Sequence, residues 1–249
     1  MPKLTVTVIA RNEAANIAAA LESVAWADEI VVVDAESTDE TVAIARRFTG
    51  RVVTRAWSGY VDQKNHAAGL ASHDWILSLD ADERATPELE KEVRATLAGD
   101  PAALGYRMPR LTFYLGRWIR TTDWYPDHQL RLYDRRHGRW AGRHVHESVD
   151  VTGRVGTLRS GLQHFPYRDI AHHVQTIDRY TTLAARQMAE GGRRARLLDI
   201  VVRPPLAFLR NYVVRGGFRD AGPGLVVSLL NSYYVMLKFA KLWESTRAR

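Results

Sequence analysis

The sequence predicts an α/β fold, with a parallel sheet flanked by helices, a mixed second half and a helical C-terminal region. Strand-like and helical stretches alternate four times in the first half, which is typical of a parallel sheet with helices on both faces. The predicted strand Glu29–Asp34 is almost continuously apolar, as expected for a strand covered on both sides. After Gly105 the pattern changes to strands with interspersed aromatic residues and arginines, which indicates mixed or antiparallel pairing.

The first half begins with a strand rich in β-branched residues, Leu4–Ala10. Further strands are predicted at Glu29–Asp34, 51–57 and 75–79, and helices at 13–25, 41–48 and 62–72. Asn12 is expected to cap the first helix. Thr86-Pro87-Glu88 predicts another helix start, because threonine caps well, proline suits the first helical position and an acid suits the first turn.

The second half is predicted to contain strands at 106–120, 129–135, 140–149 and 158–165, followed by a helix at 171–190. The remaining tail is basic, since residues 181–249 carry 12 Lys and Arg against 4 Asp and Glu. Its apolar run 225–240 is shorter than the roughly 20 residues of a spanning helix and contains polar residues. Apolar and aromatic residues flanked by arginines favour helices in a membrane interface. Packing on the domain and a dimer contact remain the alternatives.

Several classes of protein are excluded or disfavoured. The chain has no cysteine, so disulfides and thiolate metal sites are excluded. The N-terminus enters a strand directly, and we expect no signal peptide. Neither a Gly-x-Gly-x-x-Gly turn nor a P-loop follows the first strand, which disfavours nicotinamide enzymes and P-loop NTPases. No nucleic-acid-binding motif accompanies the basic tail, so nucleic acid is not an expected partner.

Acidic residues follow the predicted strand at 75–79. Asp80, Asp82 and Glu83 lie within four residues, and carboxylates this close repel one another unless a cation balances them. Magnesium-type ions are held by one or two carboxylates and by the phosphate oxygens of a substrate. Asp34 and the loop 10–13 follow other strands of the same sheet, where ligands bind at the carboxyl ends. The sequence therefore predicts a metal site for a phosphorylated ligand at this edge.

Three runs carry a resemblance to a known family: 6–13, 32–41 and 79–83. In this order they resemble the motifs of family 2 glycosyltransferases, which have the GT-A fold, a Rossmann-like sheet flanked by helices. The third run is similar to the Asp-x-Asp motif of that family. The resemblance is greatest to the branch of this family that contains lipopolysaccharide core β-glucosyltransferases. It rests there on Gly59 with 63–65, the segment 124–132 and the pair His146-Glu147.

The resemblance implies that a nucleotide sugar, UDP-linked, binds across the first half. Asp34 is then expected to bind the uracil base, Asp80 to lie near the ribose and the metal, and Asp82 to coordinate Mg2+ or Mn2+. Lys64 or Arg131 is expected to add positive charge. The donor site that the resemblance implies comprises Ala10, Arg11, Asn12, Glu13, Asp34, Lys64, Asp80, Ala81 and Asp82.

The family inverts the anomeric centre, which requires a base for the hydroxyl of the acceptor. The base is expected to be a carboxylate of the second half, with Glu147 favoured and Asp127 as the alternative. Some GT-A enzymes use a late histidine as a further metal ligand, and His146 or His164 is the candidate. The predicted metal set is Asp80, Asp82 and His146. Glu83 is expected to be structural and to pair with Arg84 or Lys91.

The sequence therefore predicts an inverting, metal-dependent hexosyltransferase that acts on a lipopolysaccharide-core or other lipid-linked glycan, with glucose from UDP-glucose as the donor. It is expected at the inner face of the cytoplasmic membrane. The predicted domains are a GT-A domain at 1–168, divided into a donor half (1–104) and an acceptor half (105–168), and a helical region at 169–249. The alternatives are a sugar-phosphate nucleotidyltransferase, which would need a glycine- and arginine-rich phosphate loop, and a non-catalytic membrane scaffold.

Overall fold

The structure is a computed structural model that describes residues 2–142 and 147–247. Its strands are β1 Leu4–Ala10, β2 Glu29–Asp34, β3 Val52–Thr54, β4 Trp75–Asp80, β5 Glu83–Ala85, β6 Gly105–Tyr114, β7 Arg117–Ile119, β8 Asp127–Asp134, β9 Gly138–Ala141, β10 Ser148–Val151, β11 Val155–Thr157 and β12 Leu162–His164. Its helices are α1 Ile17–Glu22, α2 Thr41–Ala45, α3 Tyr60–Leu70, α4 Pro87–Ala98, α5 Ile170–Glu190, α6 Leu197–Leu209 and α7 Ala221–Arg247.

The chain forms two compact units. The first contains the described residues up to Arg110 together with Asp127–His164, and the second contains Leu111–Pro126 with the described residues from Phe165 onward. The predicted division into a donor half, an acceptor half and a tail concerns function and stays a prediction.

The main sheet of the first unit has the strand order β3-β2-β1-β4-β8-β6-β12-β5. β1, β2, β3 and β4 pair in parallel, whereas β8 runs antiparallel to both β4 and β6. This is the predicted α/β fold: a mixed sheet flanked by helices. The central strands are apolar and inaccessible to solvent, as at Val6, Val8 and Leu77. Burial of both faces explains their continuous apolar runs.

Several predicted elements have different bounds in the structure. Asn12 does not cap α1, which begins at Ile17; Asn12 has a positive φ of 56°, and its side chain accepts a hydrogen bond from the Thr38 N–H group. The predicted strand 106–120 is a hairpin of β6 and β7, because Leu115 and Gly116 both adopt positive φ angles at a turn.

The predicted strand 140–149 was also wrong. Its ends belong to two antiparallel strands, β9 and β10, in which Ala141 pairs with Ser148 and Trp140 with Val149. Of the residues that connect them, 143–146 lie outside the described part of the chain. The predicted start of α4 is confirmed, since the Thr86 side chain accepts the Leu89 N–H group at 3.1 Å.

The second unit consists of the hairpin segment and the C-terminal helices. A π-helical turn, Arg210–Val214, continues α6, and a 3-10 turn, Gly217–Asp220, leads into α7. Gly224 is required here, because a Cβ atom on it would lie 1.9 Å from the Gly217 carbonyl oxygen. The helical stretch Gly217–Arg247 is long and apolar enough to cross a membrane by length and composition. The expectation that run 225–240 is too short to span therefore does not hold on length alone.

Candidate functional site

The carboxyl ends of β1, β2 and β4 bring the predicted donor-site residues to one edge of the sheet. Ala10 pairs with Asp34 on one side of β1, and Ile9 pairs with Asp80 on the other. This register follows from the parallel pairing of three buried strands, and it places the two acidic strand ends on either side of β1. The edge is the place where open α/β sheets bind ligands.

Asp34 is buried and organises the loop that follows β2. Its carboxylate accepts the Ser37 N–H group at 2.9 Å and the Ser37 hydroxyl at 2.5 Å. The Ser37 hydroxyl oxygen in turn accepts the Asn12 N–H group at 2.8 Å. Asn12 and Glu36 both adopt positive φ angles of 56°. The two loops therefore hold each other in a fixed conformation beside Asp34.

The other members of the loop after β1 have separate local roles. Glu13 precedes α1; its side chain accepts from the Asn16 side-chain amide at 2.9 Å, and its N–H group donates to the Thr41 hydroxyl at 2.8 Å. Arg11 is exposed. Asp39 accepts the Thr41 N–H group at 3.0 Å at the start of α2.

Asp80 lies in a cluster of charged side chains whose charges balance. Its two oxygens accept from Lys64, at 2.9 Å, and from Arg131. Burial alone would raise the pKa of Asp80, but the charges of Arg131 and Lys64 outweigh it and hold this pKa well below its ordinary value. The carboxylate therefore stays ionised and orients both cations.

Glu83 is the centre of this cluster and is fully inaccessible to solvent. One of its oxygens accepts from Arg110 at 3.0 Å and from Arg131 at 2.8 Å, and the other accepts the Asp80 N–H group at 3.1 Å. The prediction that Glu83 is structural agrees with this geometry. Its partners here, Arg110 and Arg131, are not the cations that were predicted for it.

Trp140 supports the two cations that contact Asp80. The Lys64 ammonium lies 4.2 Å from the centre of the Trp140 ring, and the Arg131 guanidinium lies 5.6 Å from it. Asn65 fixes the Trp140 backbone by donating to its carbonyl and accepting its N–H group, both at 2.9 Å. The ring attracts both cations through its negative face, so β9 contributes to the position of the charges.

Asp82 is set apart from the balanced cluster and lies beside His164, with 3.4 Å between Asp82 Oδ2 and His164 Nε2. Burial alone would raise the pKa of Asp82, but its interaction with His164 holds the pKa below the ordinary value. Two ligands of one octahedral ion at about 2.1 Å lie roughly 3 Å apart. The pair therefore fits a divalent ion that also takes oxygen ligands from a substrate.

Within residues 2–142 and 147–247, no group of three or more His, Asp or Glu side chains is arranged as a metal site. Asp80 is engaged through both oxygens by cations, so its place in the metal set stays a prediction. His146 lies outside the described residues, as does His144. The structure places the other late histidine, His164, next to Asp82.

The two candidate bases differ in how their oxygens are used. Asp127 accepts from Arg110 at 2.7 Å and from the Gln129 side chain at 2.6 Å, so both its oxygens have donors. Glu147 has one oxygen, Oε2, that is buried and has no hydrogen-bond partner among residues 2–142 and 147–247. The two carboxylates therefore differ in geometry, since both oxygens of Asp127 are occupied by donors and Glu147 Oε2 meets none in the described part of the chain.

Sequence reasoning missed three contributors to the site: Arg110, Asn65 as a support and Trp140 as a cation platform. Arg110 lies in β6 with one other arginine, Arg107, and nothing in its spacing relates it to Glu83, 27 residues away. Asn65 adjoins Lys64 in the run that carries the family resemblance, which is the one signal that pointed to it.

The comparisons with known proteins place the chain in a family. The profile described as "Glycosyl transferase family 2" matches residues 5–152. The chain belongs to glycosyltransferase family 2. It is 31% identical over 253 residues to the lipopolysaccharide core biosynthesis glycosyltransferase LpsC of Rhizobium meliloti, an alignment that covers 98% of this chain and 94% of the relative.

A second relative is an uncharacterized glycosyltransferase of Rickettsia felis, 31% identical over 258 residues, with 98% of this chain and 91% of the relative covered. Among solved structures, glucosyl-3-phosphoglycerate synthase from Mycobacterium tuberculosis, in complex with Mg2+ and UDP, superposes with a TM-score of 0.39. That superposition covers 44% of each chain at 21% identity.

Proposed function

We propose that the protein transfers a hexose, glucose from UDP-glucose, with inversion onto a lipopolysaccharide-core or other lipid-linked glycan. The observation that carries this proposal is the Asp82–His164 pair at the end of β4, beside the buried Asp80 cluster. The lipopolysaccharide core relative, similar over nearly its full length, supports the choice of acceptor.

Charge balance favours a cation at Asp82. In the adjoining cluster, three carboxylates meet three cations, namely Asp80, Glu83 and Asp127 with Lys64, Arg110 and Arg131. Because histidine binds a metal in its neutral form, Asp82 would add an excess negative charge beside a metal-binding His164. Asp82 and His164 would hold Mg2+ or Mn2+, which supplies Lewis-acid neutralisation of the departing diphosphate when bound.

On the nucleoside side, the fixed loops around Asp34 would receive the uracil base. Because the Ser37 N–H group and hydroxyl hold Asp34 from one side, its carboxylate is oriented before the ligand arrives. Because this hydrogen-bond acceptor is already fixed, binding of a nucleobase that presents an N–H donor requires little further ordering.

Glu147 would remove the proton from the acceptor hydroxyl as it attacks the anomeric carbon. Its Oε2 is buried and meets no donor among the residues that the structure describes, which leaves this oxygen available to an acceptor hydroxyl, and general-base catalysis contributes about 10²–10⁴-fold. Glu147→Gln should therefore reduce transfer by about 10²–10⁴-fold while UDP binding is unchanged.

The matched variant is Asp127→Asn, which should retain most of the transfer activity if the protein still folds. The assay is transfer of labelled sugar from a panel of nucleotide sugars in the presence of Mn2+. Near-normal turnover by Glu147→Gln, together with loss in Asp127→Asn, would assign the base to Asp127. Failure of every nucleotide sugar in the panel would reject the transfer reaction itself.

We also propose that the protein works at the inner face of the cytoplasmic membrane, in peripheral contact through its C-terminal region. A lipid-linked acceptor requires access to the membrane surface. The exposed apolar residues of α6 and the surrounding arginines support this contact.

A further inference from the structure

One face of α6 is apolar and uncovered. Leu198 and Val201 are each 69% exposed and Leu206 is 57% exposed, although the opposite face packs through buried Pro204. Together with Val202, which is 44% exposed, they recur at the spacings of three and four positions that form one helical stripe. Leu209 and Val213 continue the stripe into the π-helical turn and are also exposed. A contiguous apolar surface of this kind marks an interaction site.

Both ends of this stripe are basic. Exposed arginines precede α6 at positions 193, 194 and 196 and follow it at 210, 215 and 219, where Arg210 and Arg215 also pair with Asp123. Residues 193–219 contain seven arginines and a single acid, Asp199. A second copy of the chain would bring like charges together around the apolar contact, which is unfavourable. An anionic lipid surface complements both the apolar stripe and the arginines.

α7 is long enough to span a bilayer, but both of its ends are tied to polar parts of the same unit. Asp220, directly before α7, is buried and accepts from the Thr121 hydroxyl at 2.6 Å. Near the other end, Lys241 donates to the Asp178 carboxylate at 2.7 Å and to the Thr182 hydroxyl at 2.7 Å. At 1.5 Å per residue, these anchors lie about 30 Å apart, the full thickness of the hydrocarbon layer.

A spanning α7 would therefore carry α5 into the bilayer or lose its contacts. α5 exposes Asp178, Arg179 and Arg186, and charged side chains within the hydrocarbon are costly. α7 is also joined to α6, because the Ser232 hydroxyl donates to the Pro204 carbonyl at 2.8 Å. The folded unit thus holds α7 behind α6 rather than across a membrane.

The two prolines of α6 fit the same placement. Pro204 and Pro205 lie inside the helix and remove the N–H donors that the carbonyls four residues earlier would otherwise receive. Such carbonyls are expensive in the hydrocarbon centre, but water and headgroups satisfy them at the interface. Leu206, next to the prolines, is still exposed.

We propose that α6 lies in the plane of an anionic membrane surface, with its apolar stripe below the headgroups and the arginines at both ends on lipid phosphates. α7 backs α6 and does not cross the bilayer. This inference rests on the proposed peripheral membrane contact and is independent of the donor-site chemistry.

The test is co-sedimentation of the full chain with vesicles, without nucleotide or acceptor. Vesicles of equal parts phosphatidylglycerol and phosphatidylcholine should bind the protein at least about tenfold more tightly than phosphatidylcholine alone, because each arginine near the surface adds to the attraction. The double variant Leu198→Gln with Val201→Gln should bind at least about tenfold more weakly than the unsubstituted chain.

The matched control is the double variant Leu115→Gln with Ile170→Gln, since these apolar residues of the same unit are exposed (40% and 46%) but lie outside α6. It should bind like the unsubstituted chain. Equal loss in both double variants, or equal binding to the two kinds of vesicle, would overturn the proposal. The midpoint of thermal unfolding, followed by circular dichroism, should be the same for both double variants, because no buried side chain is changed.

Two further measurements distinguish the proposed surface contact from a spanning α7 and from a contact with a second copy of the chain. Alkaline carbonate should release the bound protein from the vesicles, and retention would mean that α7 spans. A dimer in solution that the α6 double variant dissociates would assign the stripe to a second copy and overturn the membrane assignment. None of these measurements depends on transfer activity, so they can fail while the proposed reaction holds.

Discussion

Replacement of Glu83 by glutamine tests whether the buried charge cluster holds the first unit together. The substitution keeps the size of the side chain and removes the charge that faces Arg110 and Arg131. Both guanidinium groups then remain in a largely buried site with less negative charge. Loss of one partner from a buried ion pair costs about 3–5 kcal/mol, and we expect unfolding to become easier by this amount.

Urea unfolding followed by tryptophan fluorescence measures this loss. With a slope of about 3 kcal/mol per molar urea, the midpoint should fall by about 1 M or more. Glu22→Gln is the control, because Glu22 is exposed at the end of α1 and should change stability by no more than about 0.5 kcal/mol. A midpoint for Glu83→Gln that lies within about 0.3 M of the unsubstituted protein would refute the structural role of Glu83.

Three further predictions concern titration and anchoring. Burial alone would raise the pKa of Glu29, but hydrogen bonds from Ser72 and other donors lower it to about 2. Because the folded pKa lies below the unfolded one, the stability lost in Glu29→Gln should be largest above about pH 5 and should fade as the pH falls toward 2. Urea midpoints at several pH values will measure this loss. Burial lowers the pKa of His173, which contacts the Tyr114 hydroxyl at 3.0 Å, to about 4, so its ring signals in NMR should not titrate between pH 6 and 8; a midpoint near 6.5 would contradict this. Asp220→Ala should lower the free energy of unfolding by about 2–4 kcal/mol, since a buried carboxylate with three donors is lost. Hydrogen exchange should then accelerate in residues 117–124, and unchanged exchange would contradict the anchoring role.

The sequence predicted best those elements whose bounds are determined by residues close together along the chain. The apolar runs predicted the exact bounds of β1 and β2, Leu4–Ala10 and Glu29–Asp34, because a strand buried on both faces accepts few polar residues. The start of α4 followed from Thr86 and Pro87, which act through contacts within one turn. The order of the strands with acidic ends likewise predicted the edge of the sheet that holds Asp34 and Asp80.

The parts that sequence could not predict depend on contacts distant along the chain. Asn12 fits a helix cap by composition, but the loop around Ser37 holds it in a left-handed conformation instead. Glu83 gave no sign of its partner Arg131, which lies 48 residues later. His164 approaches Asp82 only because β12 pairs with β5, where His164 lies opposite Glu83.

The central claim is that Asp82 carries a divalent cation for a nucleoside diphosphate, and calorimetric titration of UDP with and without Mn2+ tests it most directly. The control is Asp74→Asn, at the other end of β4, where an exposed carboxylate pairs with Arg136 at 3.2 Å. We predict that UDP binds only with Mn2+, that Asp82→Asn abolishes this binding, and that Asp74→Asn retains it. Binding of UDP that is independent of Mn2+, or that survives in folded Asp82→Asn, would contradict the account.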